Sequence, residues 1–232
     1  MKKQTVRYEI AGKAYEGIAV WDDSVSGKRP AVLIAPTFMG VSALEEEKAE
    51  KLAKLGYAAF IADIFGVEVR PQNVDEAVQA MQVLNGDRAA LATMMKGALS
   101  QMLALDVVNA GKVAAIGYCL GGKCVLDLAR QGGEVAGIAM FHGLFDPPNI
   151  ATADTITAKV LALHGWDDPL AKPDDVIAFA IEMTEKKADW QLQAYGHAQH
   201  GFTTSNRPDM YNETADRRSW RAMENFLSEL FA

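Results

Sequence analysis

Cysteine is scarce in this chain: two residues in 232 cannot build a disulfide scaffold. Cys119 and Cys124 would lie on one turn and the helix after it, so they would not face each other across a loop. Basic residues are also outnumbered, 23 Lys and Arg against 30 Asp and Glu, for a net charge of -7 and a pI near 5.2. Nucleic acid or an anionic membrane would be repelled over most of such a surface. No uncharged apolar run is long enough to cross a bilayer, and the first nine residues, Met1 to Glu9, lack the apolar core of a secretion signal. A Pro/Gly/Ser-rich linker is absent too. These absences predict a cytoplasmic protein without nucleic-acid or membrane partners, folded as one α/β domain over residues 1–232, a monomer or weak homodimer.

What is present centres on the stretch from Lys112 to Arg130, where an apolar run meets Gly117-Tyr118-Cys119-Leu120-Gly121 and then a helical pattern. Strand, sharp turn and helix are the parts of a nucleophile elbow, with sulfur where Gly-x-Ser-x-Gly carries oxygen. Glycines flank the apex because a Cβ there would collide with the neighbouring strand or helix. The helix start brings unpaired amides and a positive dipole end close to the thiol, which favours the thiolate.

Around this stretch the pattern alternates between strand and helix. Residues 5–10 and 14–20 alternate apolar and polar and predict a half-solvated edge hairpin, while 30–35, 57–62, 134–140 and 159–163 are short apolar runs suited to buried strands. Ser42-Ala-Leu-Glu45 predicts a capping box opening a helix to Leu55. Helical spacing recurs around Val74 to Met81, from Asp87 to Met102, from Pro173 to Lys187 and from Met210 to Leu230, and residues 189–195 alternate as a last strand. The methionines of the second of these helices, at helical spacing, predict core. Such a succession predicts a mainly parallel, doubly wound sheet with an antiparallel N-terminal edge hairpin, the α/β-hydrolase architecture, with its site at the carboxyl ends of the strands.

Several candidate site residues follow from that placement. In elbow hydrolases one oxyanion amide comes from the loop after an early strand and the other from the residue after the nucleophile, which selects the backbone N–H groups of Phe38 and Leu120. An acid must follow the nucleophile, and the Gly-x-x-Asp spacing from Gly165 selects Asp168, with Asp167 as the competitor that stabilises the turn. Asp63 precedes the nucleophile and is assigned to turn capping. His142 stands at a strand end beside the expected pocket, and also suits a structural hydrogen bond. His197 and His200 are spaced like a metal pair, yet no third ligand recurs, so neither metal nor cofactor is expected.

Three segments, Gly117-Tyr-Cys-Leu-Gly-Gly122, His164-Gly-Trp-Asp-Asp-Pro169 and His200-Gly-Phe-Thr203, make the chain resemble the dienelactone hydrolase family, α/β-hydrolases with a cysteine nucleophile. The resemblance runs from Pro30 to the last helix. It implies a triad of Cys119, Asp168 and His200; Thr37, Tyr118 and His142 are the residues expected to line a pocket for a small-molecule ester or lactone. Family members proper place a glutamate at position 37 that helps ionise the thiol, and this chain has Thr37, so ionisation rests on His200 and the helix terminus. Arginines that bind an anionic substrate in the family have no positional match here, Arg88 and Arg207 being only near in sequence. The expected activity is therefore hydrolysis of an activated carboxylic ester or lactone through an acyl-enzyme, not specific for a dienelactone. A thiol sensor on a hydrolase scaffold is the alternative from a different class.

Overall fold

Apolar runs bounded by turns become strands and the segments of helical spacing become helices, in a computed structural model that describes residues 1–232. In chain order they are β1 (Lys2–Ile10), β2 (Lys13–Trp21), β3 (Arg29–Ala35), α1 (Ala43–Lys54), β4 (Ala58–Ile61), α2 (Val74–Gly86), α3 (Arg88–Leu103), β5 (Val108–Tyr118), α4 (Leu120–Arg130), β6 (Gly137–Phe141), β7 (Lys159–Gly165), α5 (Pro173–Glu185), β8 (Trp190–Tyr195) and α6 (Glu213–Phe231). The chain folds as two compact units, 1–115 and 116–232.

In the first unit the strands are ordered β1-β2-β4-β3. β1 and β2 pair antiparallel from Lys2 opposite Trp21 to Ile10 opposite Lys13. The hairpin lies at the sheet edge, as the sequence predicts, and joins the sheet through β2, which pairs antiparallel with β4, Ile18 opposite Ile61 and Val20 opposite Ala59. Its last residues, Ala19, Val20 and Trp21, are buried for that reason. β3 then runs parallel to β4, and both are apolar on each face, as a covered parallel pair requires. Helix α1 packs on β2, β3 and β4, and α3 packs on β1 and β3 through a face that buries Leu91, Met94, Met95, Ala98 and Met102.

The start of α1 differs from the predicted capping box. Ser42 Oγ accepts from Leu44 N at 3.2 Å. The buried Glu45 carboxylate does not turn back to the Ser42 amide; it accepts the Ser42 hydroxyl and, at 3.4 Å, the amide of Thr37. The loop after β3 is thereby tied to the helix that follows it. Asp63 caps the turn after β4, accepting from Phe65 N and Gly66 N, and pairs with Arg70 at 2.8 Å.

The second unit begins within β5, at Ile116, and its strands β6, β7 and β8 follow in that order, all parallel. All eleven residues of α4 are buried, and it packs on β6. Arg130, at its end, is wholly enclosed; its guanidinium donates to Asp127, to Glu182 and to the carbonyls of Phe145 and Asp146. Helix α6 packs on β6 and β7 through Met223, Phe226 and Leu227. It opens at Glu213 instead of the predicted Met210, because Asn212 accepts from Ala215 N at 3.0 Å and caps it there. No helix is long and apolar enough to cross a membrane.

Candidate active site

Cys119 stands between β5 and α4 with φ 55° and ψ -116°, a left-handed conformation that a side chain adopts only where its surroundings impose it. The constraint is local. Cys119 N donates to Phe141 O at 3.1 Å, and Cys119 O accepts from Lys123 N at 3.3 Å. A Cβ on Gly117 would lie 2.0 Å from the carbonyl oxygen of Gly121, so only glycine lets the strand and the first helical turn close on each other. The thiol makes no capping bond to α4 and is half-buried at the helix start.

Asp168 and His200 reach the same place from the ends of β7 and β8. The turn after β7 is fastened to the loop after β8 by Trp166 N to Tyr195 O at 2.9 Å and Asp167 N to Ala198 O at 3.0 Å. Asp168 is fully buried; its Oδ1 accepts from Leu170 N at 2.8 Å. Its Oδ2 lies 2.8 Å from His200 Nδ1, and His200 Nε2 lies 3.0 Å from Cys119 Sγ. A carboxylate only accepts, so Nδ1 carries a proton and donates it to Asp168. Asp167 is exposed and turns to His197, 3.7 Å away.

Burial works against charge on His200, but the hydrogen bonds of Asp168 and Cys119 and their negative charges outweigh it and push the imidazole up to about 10. The neighbouring His164 goes the other way: burial, with His200 close by, holds its imidazole below the ordinary range despite Asp168. One histidine is thus fitted to hold a proton and the next to stay neutral.

The remaining predicted site residues are spread over the fold. Thr37 and Phe38 lie half-buried in the loop after β3, where the Thr37 hydroxyl accepts from Met39 N at 3.3 Å and its carbonyl from Gly40 N at 2.9 Å. Leu120 is the first residue of α4, in the turn whose amides have no intrahelical acceptor. Tyr118 and His142 are each 1% exposed. The Tyr118 ring stacks on Phe141, and the His142 ring stands edge-on to His200 at 5.3 Å with its Nε2 2.9 Å from the Thr203 hydroxyl. Arg88 is buried at the start of α3, and Arg207 is exposed and paired with Asp209 at 2.7 Å. No three His, Cys, Asp or Glu side chains gather as a set of metal ligands. Two partnerships escape the sequence: Glu45 with the Thr37 amide, which no periodicity signals, and Thr203 with His142, for which the His200-Gly-Phe-Thr203 segment was the available sign.

Residues 16–231 match the model of the dienelactone hydrolase family. Among solved structures, a dienelactone hydrolase-like promiscuous phosphotriesterase from metagenomic libraries is 36% identical, with a TM-score of 0.94 over 100% of this chain and 99% of that one. A probable 2-oxo-3-(5-oxofuran-2-ylidene)propanoate lactonase of Bradyrhizobium sp. is 27% identical over 84% of this chain and 82% of its own length. An uncharacterized protein of Caenorhabditis elegans is 30% identical over 60% of this chain and 92% of its own.

Proposed function

The chain belongs to the dienelactone hydrolase family and is an α/β-hydrolase of esters or lactones; from that premise we propose that it works through a Cys119–His200–Asp168 triad and an acyl-enzyme. The observation that carries this reading is the unbroken line of contacts from sulfur to imidazole to carboxylate, 3.0 Å and 2.8 Å long. A nucleophile, its base and the group that orients the base stand in hydrogen-bond reach.

The chemistry follows from those contacts. His200 takes the thiol proton, and its imidazolium stands beside the thiolate, stabilised by Asp168. Sulfur attacks the substrate carbonyl carbon, a C–S bond forms and the carbonyl π pair moves to oxygen. The Leu120 amide supports that oxyanion from the free end of α4; the second donor the sequence assigns is the Phe38 amide. Collapse expels the leaving-group oxygen, which takes the proton of His200. Water then loses a proton to the neutral imidazole and attacks the thioester, and the C–S bond breaks to free the acid and restore the thiol. A thiolate leaves more readily than an alkoxide, so substrates with enol, phenol or thiol leaving groups are favoured over simple alkyl esters and amides. Lactones of enols meet that demand.

The test uses an activated aryl ester and an enol lactone. Turnover, a trapped acyl adduct on Cys119 by mass spectrometry, and loss of both in Cys119→Ala are expected. Turnover that persists in that variant would rule the triad out. Because the 36% identical solved relative is a promiscuous phosphotriesterase, an aryl phosphotriester is the second substrate class to assay.

A further inference from the structure

We propose that His142 is a positioning residue: bonded to Thr203 and set edge-on against the His200 ring, it holds that ring in line with Cys119. The inference rests on the triad reading above and concerns how the triad keeps its geometry.

His142 follows β6 with φ 39°, left-handed backbone in a residue that is not glycine, and such outliers persist where the surroundings over-determine them. Here three contacts do so. His142 N donates to Leu163 O at 2.8 Å, the preceding Phe141 O accepts Cys119 N at 3.1 Å, and the following Gly143 packs backbone to backbone on Gly122 of α4. The main chain at 141–143 is clamped to the nucleophile elbow.

The side chain reaches the other way. Its Nε2 is 2.9 Å from Thr203 Oγ1, three residues beyond the triad histidine, and both residues are buried, so water does not compete for the bond. The His142 ring meets His200 edge-on, centroids 5.3 Å apart at 67°, and meets Phe202 at 5.2 Å and 79°. Histidine 142 therefore spans from the segment that fixes sulfur to the segment that carries the imidazole.

A span of this kind is needed because the Cβ–Cγ bond and the Nδ1 bond to Asp168 hold only one edge of the His200 ring. Small changes in its two side-chain torsions still swing Nε2, at the far edge, off the sulfur. A rigid ring edge, itself anchored at both ends, removes that swing. The Asp168 bond sets the tautomer, and His142 with Thr203 sets the angle.

The experiment compares Thr203→Val, which removes the hydroxyl at nearly constant shape, with His142→Phe, which keeps a ring edge and loses the bond, and His142→Gln, which keeps a polar group able to reach Thr203. Turnover of an activated aryl ester is measured beside the ultraviolet titration of the Cys119 thiolate. Thr203→Val and His142→Phe are expected to lower kcat about tenfold or more with KM little changed, to displace the thiolate titration, and to be non-additive in combination. His142→Gln should recover part of the loss. If folded Thr203→Val matches wild type in kcat and in titration, even with a lower Tm, the positioning role is wrong. Should Cys119→Ala keep its turnover, the triad reading fails first and this inference with it.

Discussion

Gly122 and Gly143 touch backbone to backbone: a Cβ on Gly122 would stand 2.7 Å from the Cα of Gly143. The second residue beyond Leu120 in α4 and the residue after His142 are pressed together with no room for a side chain. Gly122→Ala must push the first turn of α4 away from the end of β6. The expected cost is about 1–3 kcal/mol of stability, as for other overpacked core sites. Esterase activity should fall with it, since the turn carries Cys119. A lowered midpoint in urea with an unchanged slope would bear this out, and an undisturbed midpoint would contradict it.

The two aspartates after β7 predict opposite outcomes. Asp168→Asn places an amide where His200 Nδ1 needs an acceptor, inviting the wrong tautomer, and should lower kcat by about two to four orders of magnitude. Asp167→Asn changes an exposed side chain that faces only His197 and should leave kcat within about twofold. Steady-state kinetics on one aryl ester decide between them.

The raised imidazole of His200 also couples to stability. Burial opposes its charge, yet Asp168 and Cys119 lift it to about 10, above the ordinary 6.5. The folded state holds that proton and the unfolded state releases it at higher pH. Its contribution is therefore complete below about pH 6.5 and drains away as pH climbs to about 10, at no more than about 1.4 kcal/mol per pH unit. Urea melts in this window should show wild type losing stability faster with pH than His200→Gln. Parallel losses would refute the linkage.

Arg130 predicts a structural penalty separate from catalysis. Its side chain is fully enclosed and satisfies Asp127, Glu182 and two carbonyls. Arg130→Met removes the cation that Asp127 and Glu182 share and takes the donor from the Phe145 and Asp146 carbonyls, for a loss of about 3–5 kcal/mol. Arg130→Lys should recover little, because a point ammonium cannot serve acceptors on four sides. Equilibrium unfolding of both variants is the measurement.

Much of this fold could be read from local chemistry. The apolar runs at β3, β4, β6 and β7 and the helical spacing of α3 and α6 appear in the sequence because burial selects residue types one at a time. The Gly117–Gly121 elbow was readable for a related reason: its glycines answer a clash within five residues. The N-terminal hairpin lies at the sheet edge as its alternating pattern predicts, but that pattern does not say which strand the hairpin joins; the pairing of β2 with β4 depends on residues about forty positions away. The spacing of Ser42 and Glu45 predicts a capping box, since motif spacing says which groups are near in the chain and not which amide lacks an acceptor.

By itself the sequence determined the fold class, the residue at the apex of the elbow, and the candidates for acid and base, since each is written in short-range pattern and chain order. Tertiary structure alone decided that Asp168 meets the His200 ring, that Asp167 turns to solvent, and that His142 is buried between elbow and histidine loop. Those outcomes depend on where strand ends converge, and convergence is set by sheet register and side-chain packing between segments far apart along the chain.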